Sequence, residues 1–450
     1  FPEELLETIV GLQSEVDQIF STARGRIGDK TYTDNDLREI LKTANDSGEL
    51  RAAWEASKQV GAAVEPKLLE VVRLRNEAAH RLGFPSYFSL KLVQQEFDEQ
   101  EFLKLFDELD DLTRDAFEEM KQEVDERLAG RYGISVGQLR PWHYHNPFFQ
   151  ESPNVFDVDL DALYEKVDIL DANTRYYEGL GMEIADIIER SDLYEKEGKN
   201  PHAYCTDIDR EGDVRVFANI RPNEYWMGTI LHEMGHAVYD KYIRRDLPHV
   251  IRTIPHTLTT EAMAMLFGRM SKNALWMEQM AGLPAERRAE IEDEVRKMLT
   301  FEQLVFSRWV QVMVRFEHAM YSNPDQDLNK LWWDLVERYQ MIRRPEGRNA
   351  PDYAAKYHVA MAPVYYHNYL FGEMMASQVH QHIVKEILHA DDLWSVTYVG
   401  RPEVGRYLRE KVFGPGALYT WNELVKHATG EPLTPKAFAA QFVSGAPTSS

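Results

Sequence analysis

The stretch Thr229–Asp240, TILHEMGHAVYD, holds two histidines four apart, with a glutamate directly after the first. Residues four apart share one face of a helix, so His232 and His236 can offer two imidazoles to a single ion. Glu233, one step round the helix, can reach a water on that ion without ligating it. Two ligands plus a base is the logic of a zinc peptidase. Met227, Ile230, Leu231, Met234 and Val238 form a continuous apolar stripe, which supports a helix here. Gly235 is costly inside a helix and points to a close packing partner. On its own the motif also fits a buried helix with two satisfied core histidines. The choice rests on a third ligand, a transition-state donor and a substrate cleft elsewhere in the chain.

A catalytic zinc takes three protein ligands and keeps a position open for water. The candidate third ligand is Glu261 in TLTTEAMAMLFGRM (257–270), 25 residues beyond His236. Thr260 reads as an N-cap, so Glu261 is expected to open a second helix that lies against the first. Taken alone, a glutamate in a first helical turn is more often there for the helix dipole.

Outward from this pair, most of the chain reads as helix. The segment from Leu37 to Phe84 repeats apolar residues at spacings of three and four, with Gly and Pro as punctuation. Residues 99–129 continue the pattern at high charge, as a long surface helix does. The pattern breaks at 138–157, a Pro- and aromatic-rich connection that is the best boundary for an N-terminal helical lobe. It resumes near 158–196 and through most of 222–345. Residues 202–220 read as two short strands around a Gly-containing turn, a hairpin placed just before the motif. No internal repeat is visible. The tail VSGAPTSS is small and polar and is expected to fray.

Composition narrows the partners. A net charge of −23 over 450 residues argues against nucleic acid and anionic membranes. With 44% apolar and 28% charged residues the chain is of ordinary globular type. No apolar run reaches the ~18 residues of a membrane span. The one cysteine, Cys205, cannot form an intrachain disulfide and reads as a small apolar residue. The expected compartment is the cytoplasm, with secretion or the periplasm as the alternative because the chain starts FPEEL without Met.

HEMGH followed by RDLPHVIRTIPHTLTTEAM (245–263) resembles the zinc-binding core of the angiotensin-converting enzyme family of peptidases. LWWDLVERYQ (331–340), AKYHVAMAPVYYHNYLFGE (355–373) and HAYCTDID (202–209) resemble further segments of that family, and LRAAWEASKQVG (50–61) with RLRNEAAHRLGFPSY (73–87) does so more weakly. Tyr366 and Tyr369 with YLFGE, and the 25-residue ligand gap, also resemble the related thimet oligopeptidase family. The resemblance implies zinc ligands His232, His236 and Glu261, one ion per chain, and Glu233 as the base. It implies His358 and Tyr369 as hydrogen-bond donors to the oxyanion, a role that suits a neutral phenol and an imidazole. It implies His202 and the backbone of Ala203 as holders of the substrate main chain, which would add to the hairpin as a strand. It implies Lys356 and Tyr366 as the site of a peptide's C-terminal carboxylate, for which a lysine is a compact point charge.

The sequence also departs from the family. Asn368 and Val336 stand where the converting enzymes carry arginines that serve chloride, so chloride activation does not follow. Met265 replaces an acid one turn past the third ligand, which leaves His232 in need of another partner for its free ring nitrogen. The spacing from His358 to Tyr369 is one residue longer than in the converting enzymes. His143 and His145 in WHYH (142–145) could share a face, with a second metal site the lesser reading. His380, His382 and His389 read as solvent-exposed in a polar helix.

The expectation is a mostly α-helical, bilobed metallopeptidase with a deep central channel and a small β-hairpin beside the zinc site. It is read as a single domain over 1–450, with a helical lobe at about 1–140 and a catalytic portion at about 141–450. The expected reaction is zinc-dependent release of C-terminal dipeptides from short peptides. Endo-cleavage of oligopeptides is the runner-up, and a catalytically inactive helical peptide-binding protein is the reading from another class.

Overall fold

The computed structural model describes residues 3–200 and 202–443. The tail expected to fray lies outside the described residues from Ser444 onward. The long helices begin and end where the sequence carries stop and start chemistry. Asp46 opens Ser47–Arg81 by accepting from the Glu49 N–H at 2.8 Å. Asp98 opens Glu99–Tyr132 by accepting from the N–H groups of Gln100 and Glu101, satisfying two of the orphan donors of the first turn. Gly133 closes that helix at φ 64°, a left-handed conformation that glycine adopts without a Cβ penalty. The fold is mostly α: among the described residues the strands form two small antiparallel pairs.

The chain divides into two compact units. The first comprises Phe1–Val155 with Phe301–His367, the second Phe156–Thr300 with Asn368–Ser450. The helices Ala285–Ser322 and His367–His382 each begin in one unit and end in the other.

In the first unit, Ser47–Arg81 is the central helix and buries Trp54, Val64, Leu68, Val71 and Val72. Gly61 lets the segment Pro351–Ala355 approach its backbone; a methyl there would sit 2.4 Å from the Pro351 carbonyl. The Pro-rich stretch after the helix Glu99–Tyr132 is buried rather than loose. Lys58 and the Trp54 indole both donate to the Pro147 carbonyl, at 2.7 and 3.0 Å. Buried Arg308 pairs with Asp110 and Thr113 and fixes two helices together. This unit also holds a hairpin that the reading of the sequence does not anticipate, Gly25–Ile27 with Lys30–Tyr32. Its signal is the two-residue Gly28–Asp29 connection, with Gly28 at φ 58°. The Gln59 amide binds both the N–H and the carbonyl of Arg26 at 2.9 Å and ties the hairpin to the central helix.

In the second unit the motif lies on Glu224–Tyr242, which Asn223 caps by accepting from the Trp226 N–H at 2.9 Å. Its apolar stripe is fully buried, with Met227, Ile230, Leu231, Met234 and Val238 all at 0% exposure. Thr257–Gly268 packs directly on it. The second hairpin, Tyr204–Asp207 with Val214–Phe217, pairs Cys205 with Val216 and packs against the same helix. Among the described residues no helix is long and apolar enough to cross a membrane.

The WHYH histidines are engaged by protein groups within the fold. His143 uses one ring nitrogen with the Ser47 hydroxyl at 3.0 Å and accepts from the Arg140 N–H with the other at 2.9 Å. His145 is engaged likewise by the Tyr132 hydroxyl and the Asn154 N–H. His380 corrects an expectation of exposure: it is buried, bonded to the Tyr398 hydroxyl and to the Leu393 carbonyl. His382 is half-buried and stacks on Tyr407, while His389 is exposed.

Candidate active site

Gly235 is the reason two helices can share an ion site. A methyl at that position would lie 2.8 Å from Cα of Ala264, so only glycine lets Thr257–Gly268 come this close to the motif helix. The approach brings Glu261 to the two histidines. Nε2 of His232 and Nε2 of His236 are 3.2 Å apart, and Glu261 Oε2 lies 3.7 and 3.9 Å from them. A tetrahedral zinc with bonds of about 2.0–2.1 Å has ligand–ligand edges of roughly 3.3 Å. The three donor atoms therefore fit the face of such a tetrahedron with small adjustment.

The start of this helix differs from expectation. It begins at Thr257, capped by His256 Nδ1, which accepts from the Leu258 N–H at 3.1 Å. Glu261 is thus a turn inside rather than at the opening. Thr260 is engaged elsewhere, with its hydroxyl 2.7 Å from Nδ1 of His236. That contact orients the ring and directs Nε2 inward, as ligating histidines require. His232 makes no equivalent bond through Nδ1 among the described residues, and Met265, one turn past Glu261, instead packs at Gly372.

Electrostatics support a cation. Burial pushes His232 down to about 4, and burial with His232 pushes His236 down to about 3, so both imidazoles are neutral and able to ligate. Burial, with Glu261 adding to it, raises Glu233 to about 8. Burial and Glu373 raise Glu261 to about 7. Among the described residues neither carboxyl pairs with a Lys or Arg. A buried donor set of this kind is costly unless a cation compensates it.

Glu233 faces this cluster from the motif helix and is 7% exposed. Tyr369 lies on His367–His382, half-buried, one turn before Gly372 on the same face. Gly372 abuts Glu261: a methyl there would sit 3.2 Å from the glutamate's Cβ. Buried Arg269 fixes the same helix by pairing with the Glu373 carboxylate and donating to the Ser377 hydroxyl at 3.0 Å. His202 is exposed and Ala203 half-buried, and both directly precede the strand Tyr204–Asp207. That strand pairs on one side with Val214–Phe217 and leaves its other edge open among the described residues. Burial pushes the thiol of Cys205 in the strand well up, which disfavours the thiolate.

Lys356, His358 and Tyr366 belong to the first unit. Lys356 is 8% exposed; its ammonium donates to Gln150 Oε1 and lies 5.4 Å from the Tyr366 ring centroid. Burial, and after it Arg38, lowers Lys356 to about 7. The rings of His358 and Tyr366 meet edge to face at 4.9 Å. Gln150 escapes a reading of the sequence because nothing local marks it. So does the clamp on Val364, which holds the turn between His358 and Tyr366 at φ 53°. Its N–H donates to Glu317 at 2.9 Å, and its carbonyl accepts from Gln95 at 3.0 Å.

A family model described as angiotensin-converting enzyme matches residues 1–141 and 150–442. The chain belongs to the angiotensin-converting enzyme family. It is similar to the angiotensin-converting enzyme of Mus musculus, 23% identical over 467 residues that cover 96% of this chain and 35% of that protein. It is similar to the angiotensin-converting enzyme-like protein Ace3 of Mus musculus, also at 23%, over 90% of this chain and 59% of that protein. An inactive angiotensin-converting enzyme-related protein of Caenorhabditis elegans is 21% identical over 73% of this chain and 40% of its own length. This angiotensin-converting enzyme family member thus spans between about a third and three fifths of the relatives it matches.

Proposed function

We propose that the chain is a zinc-dependent peptidase that releases C-terminal dipeptides from short peptides. The observation that carries the reading is the convergence of His232, His236 and Glu261, with a buried Glu233 beside them that has no cationic partner among the described residues. Zinc, when bound, would lower the pKa of a water toward ~7 and polarise the scissile carbonyl. Glu233 takes the proton from the attacking water and passes it to the leaving amine. His358 and Tyr369 donate hydrogen bonds to the oxyanion. His202 and the Ala203 backbone extend the open edge of Tyr204–Asp207 and align the substrate main chain. Lys356, Gln150 and Tyr366 take the terminal carboxylate, and this anchor favours dipeptide release over internal cleavage.

Chelation tests the reading. Phenanthroline should abolish hydrolysis of a quenched free-acid peptide, and zinc should restore it. Glu233→Gln should keep zinc and lose about 10²–10⁴ in rate. The inactive relative in Caenorhabditis elegans gives weight to a second reading, a peptide-binding protein without turnover. A zinc-loaded wild type that binds peptides and cleaves none would establish that one instead.

A further inference from the structure

A valine stands in the left-handed region between two of the proposed substrate-binding groups. Val364 follows His358 by six residues and precedes Tyr366 by two; it has φ 53° and is 1% exposed. For a β-branched residue this is an outlier, because Cβ crowds the following carbonyl. Glycine takes the same conformation without that penalty, so a connection that only had to join two helices has no need of valine here. Strained residues persist only where the surroundings over-determine them, and they cluster at functional sites.

The surroundings of Val364 do over-determine it. Glu317 Oε1 accepts from its N–H at 2.9 Å, and its carbonyl accepts from Gln95 Nε2 at 3.0 Å. Both polar groups of one residue are thus held by side chains 47 and 269 residues away. Each holder is itself fixed. The Gln95 amide also donates to the Lys91 carbonyl at 3.0 Å. Glu317 is 1% exposed on the helix Ala285–Ser322. One turn later on that helix, buried Arg75 and Asn76 donate to the Tyr321 hydroxyl and carbonyl at 2.9 and 2.7 Å. Two turns before Glu317, Trp309 meets the Tyr366 ring edge to face at 6.0 Å, and Phe306 lies 6.2 Å from it. One helix therefore holds the Tyr366 ring with aromatic side chains and the turn before it with a carboxyl. The Tyr366 ring packs in turn on that of His358, at 4.9 Å.

We propose that Glu317 and Gln95 are positioning residues: by clamping Val364 they hold His358 and Tyr366 as one unit, the imidazole set for the oxyanion and the phenol for the terminal carboxylate. The inference rests on the peptidase reading for those two roles. The coupling of the turn to the rings does not depend on turnover.

Kinetics on a free-acid peptide and crystal structures of the same zinc-loaded variants test it. Glu317→Met removes the acceptor. Val364 should then relax to negative φ and the ring pair should move from its 4.9 Å separation. The ratio kcat/KM should fall about 10²-fold, with kcat lowered through His358 and KM raised through Tyr366. Zinc affinity should keep its wild-type value, since His232, His236 and Glu261 belong to the second unit. Glu317→Gln retains an oxygen for the N–H and should keep most of both constants, which separates the clamp from the charge. Adding Val364→Gly to Glu317→Met should recover part of the loss, because glycine can return to φ 53° without strain. A merely structural role for Glu317 predicts no such recovery. If Glu317→Met does not fold, Gln95→Met releases the same turn from its carbonyl side and should change kcat and KM in the same directions. Wild-type kcat and KM in the methionine variants overturn the proposal and leave the peptidase reading standing. A wild type that cleaves nothing, with the ring pair still displaced in Glu317→Met, overturns the peptidase reading and leaves the clamp standing.

Discussion

The hydroxyl of Thr260 lies 2.7 Å from Nδ1 of His236, in the residue directly before Glu261. One short segment thus supplies a candidate ligand and orients another. Loss of such an orienting contact typically costs about 10–100-fold in metal affinity. Thr260→Val should therefore weaken zinc binding by that amount, read by competition with a chromogenic chelator. Thr260→Ser should restore it. Unchanged affinity in the valine variant would mean that the ring is held by packing alone.

Gly235 and Gly372 form a second pair of supports. Each lets a backbone approach the segment that carries Glu261, and a methyl at Gly235 would meet the Ala264 backbone at 2.8 Å. Overpacking of this kind costs about 1–3 kcal/mol. Gly235→Ala should lower the denaturation midpoint of the zinc-free protein and reduce zinc affinity as well. A variant that melts like the wild type would show that the two helices part easily.

The pairing of His232 with His236 is legible in the sequence because a helix puts residues four apart on one face, and Gly235 signals a close partner. Glu261 is legible only as a candidate third ligand, and its surroundings are not. Thr260 looks like a cap because it precedes an apolar run, yet His256 caps the helix and Thr260 bonds His236. His380 reads as exposed because its helix looks polar; its partners Tyr398 and Leu393 come from a later segment. Gln150 and Glu317 carry no local signature at all, since their partners lie 206 and 47 residues away. What a local period or turn chemistry encodes can be read. What tertiary contact decides cannot.

The anchor proposed at Lys356 makes a pH-dependent prediction. Burial, reinforced by Arg38, brings its ammonium down to about 7, so the free site loses its charge as pH rises through that value. KM for peptides with a free C-terminus should rise above pH ~7, while KM for amidated peptides should not follow the same curve. Lys356→Met should collapse the preference for free acid over amide by about 30-fold or more, the low end of the ~2–5 kcal/mol that truncating one partner of a buried charge pair costs. Equal cleavage of acid and amide by the wild type would remove the anchor.

Glu317 supplies a stability test away from the candidate metal site. It is 1% exposed, and burial outweighs both the Val364 N–H and Arg75 to hold its carboxyl up to about 8, against an ordinary 4.5. The folded state therefore keeps a proton that the unfolded state releases. The stabilisation is fully present below pH ~4.5 and is lost as pH rises toward ~8. Glutamine retains an oxygen for the Val364 N–H and carries no charge at any pH. Glu317→Gln should thus gain on the wild type between pH 5 and pH 9 by a few kcal/mol, on the order of 4 as the limit set by the shift. Urea unfolding at pH 5, 7 and 9 measures the difference. A gap that stays constant across that range would mean that Glu317 is ionised in the folded protein, with Arg75 as its counter-charge, and that the turn at Val364 is held by a carboxylate.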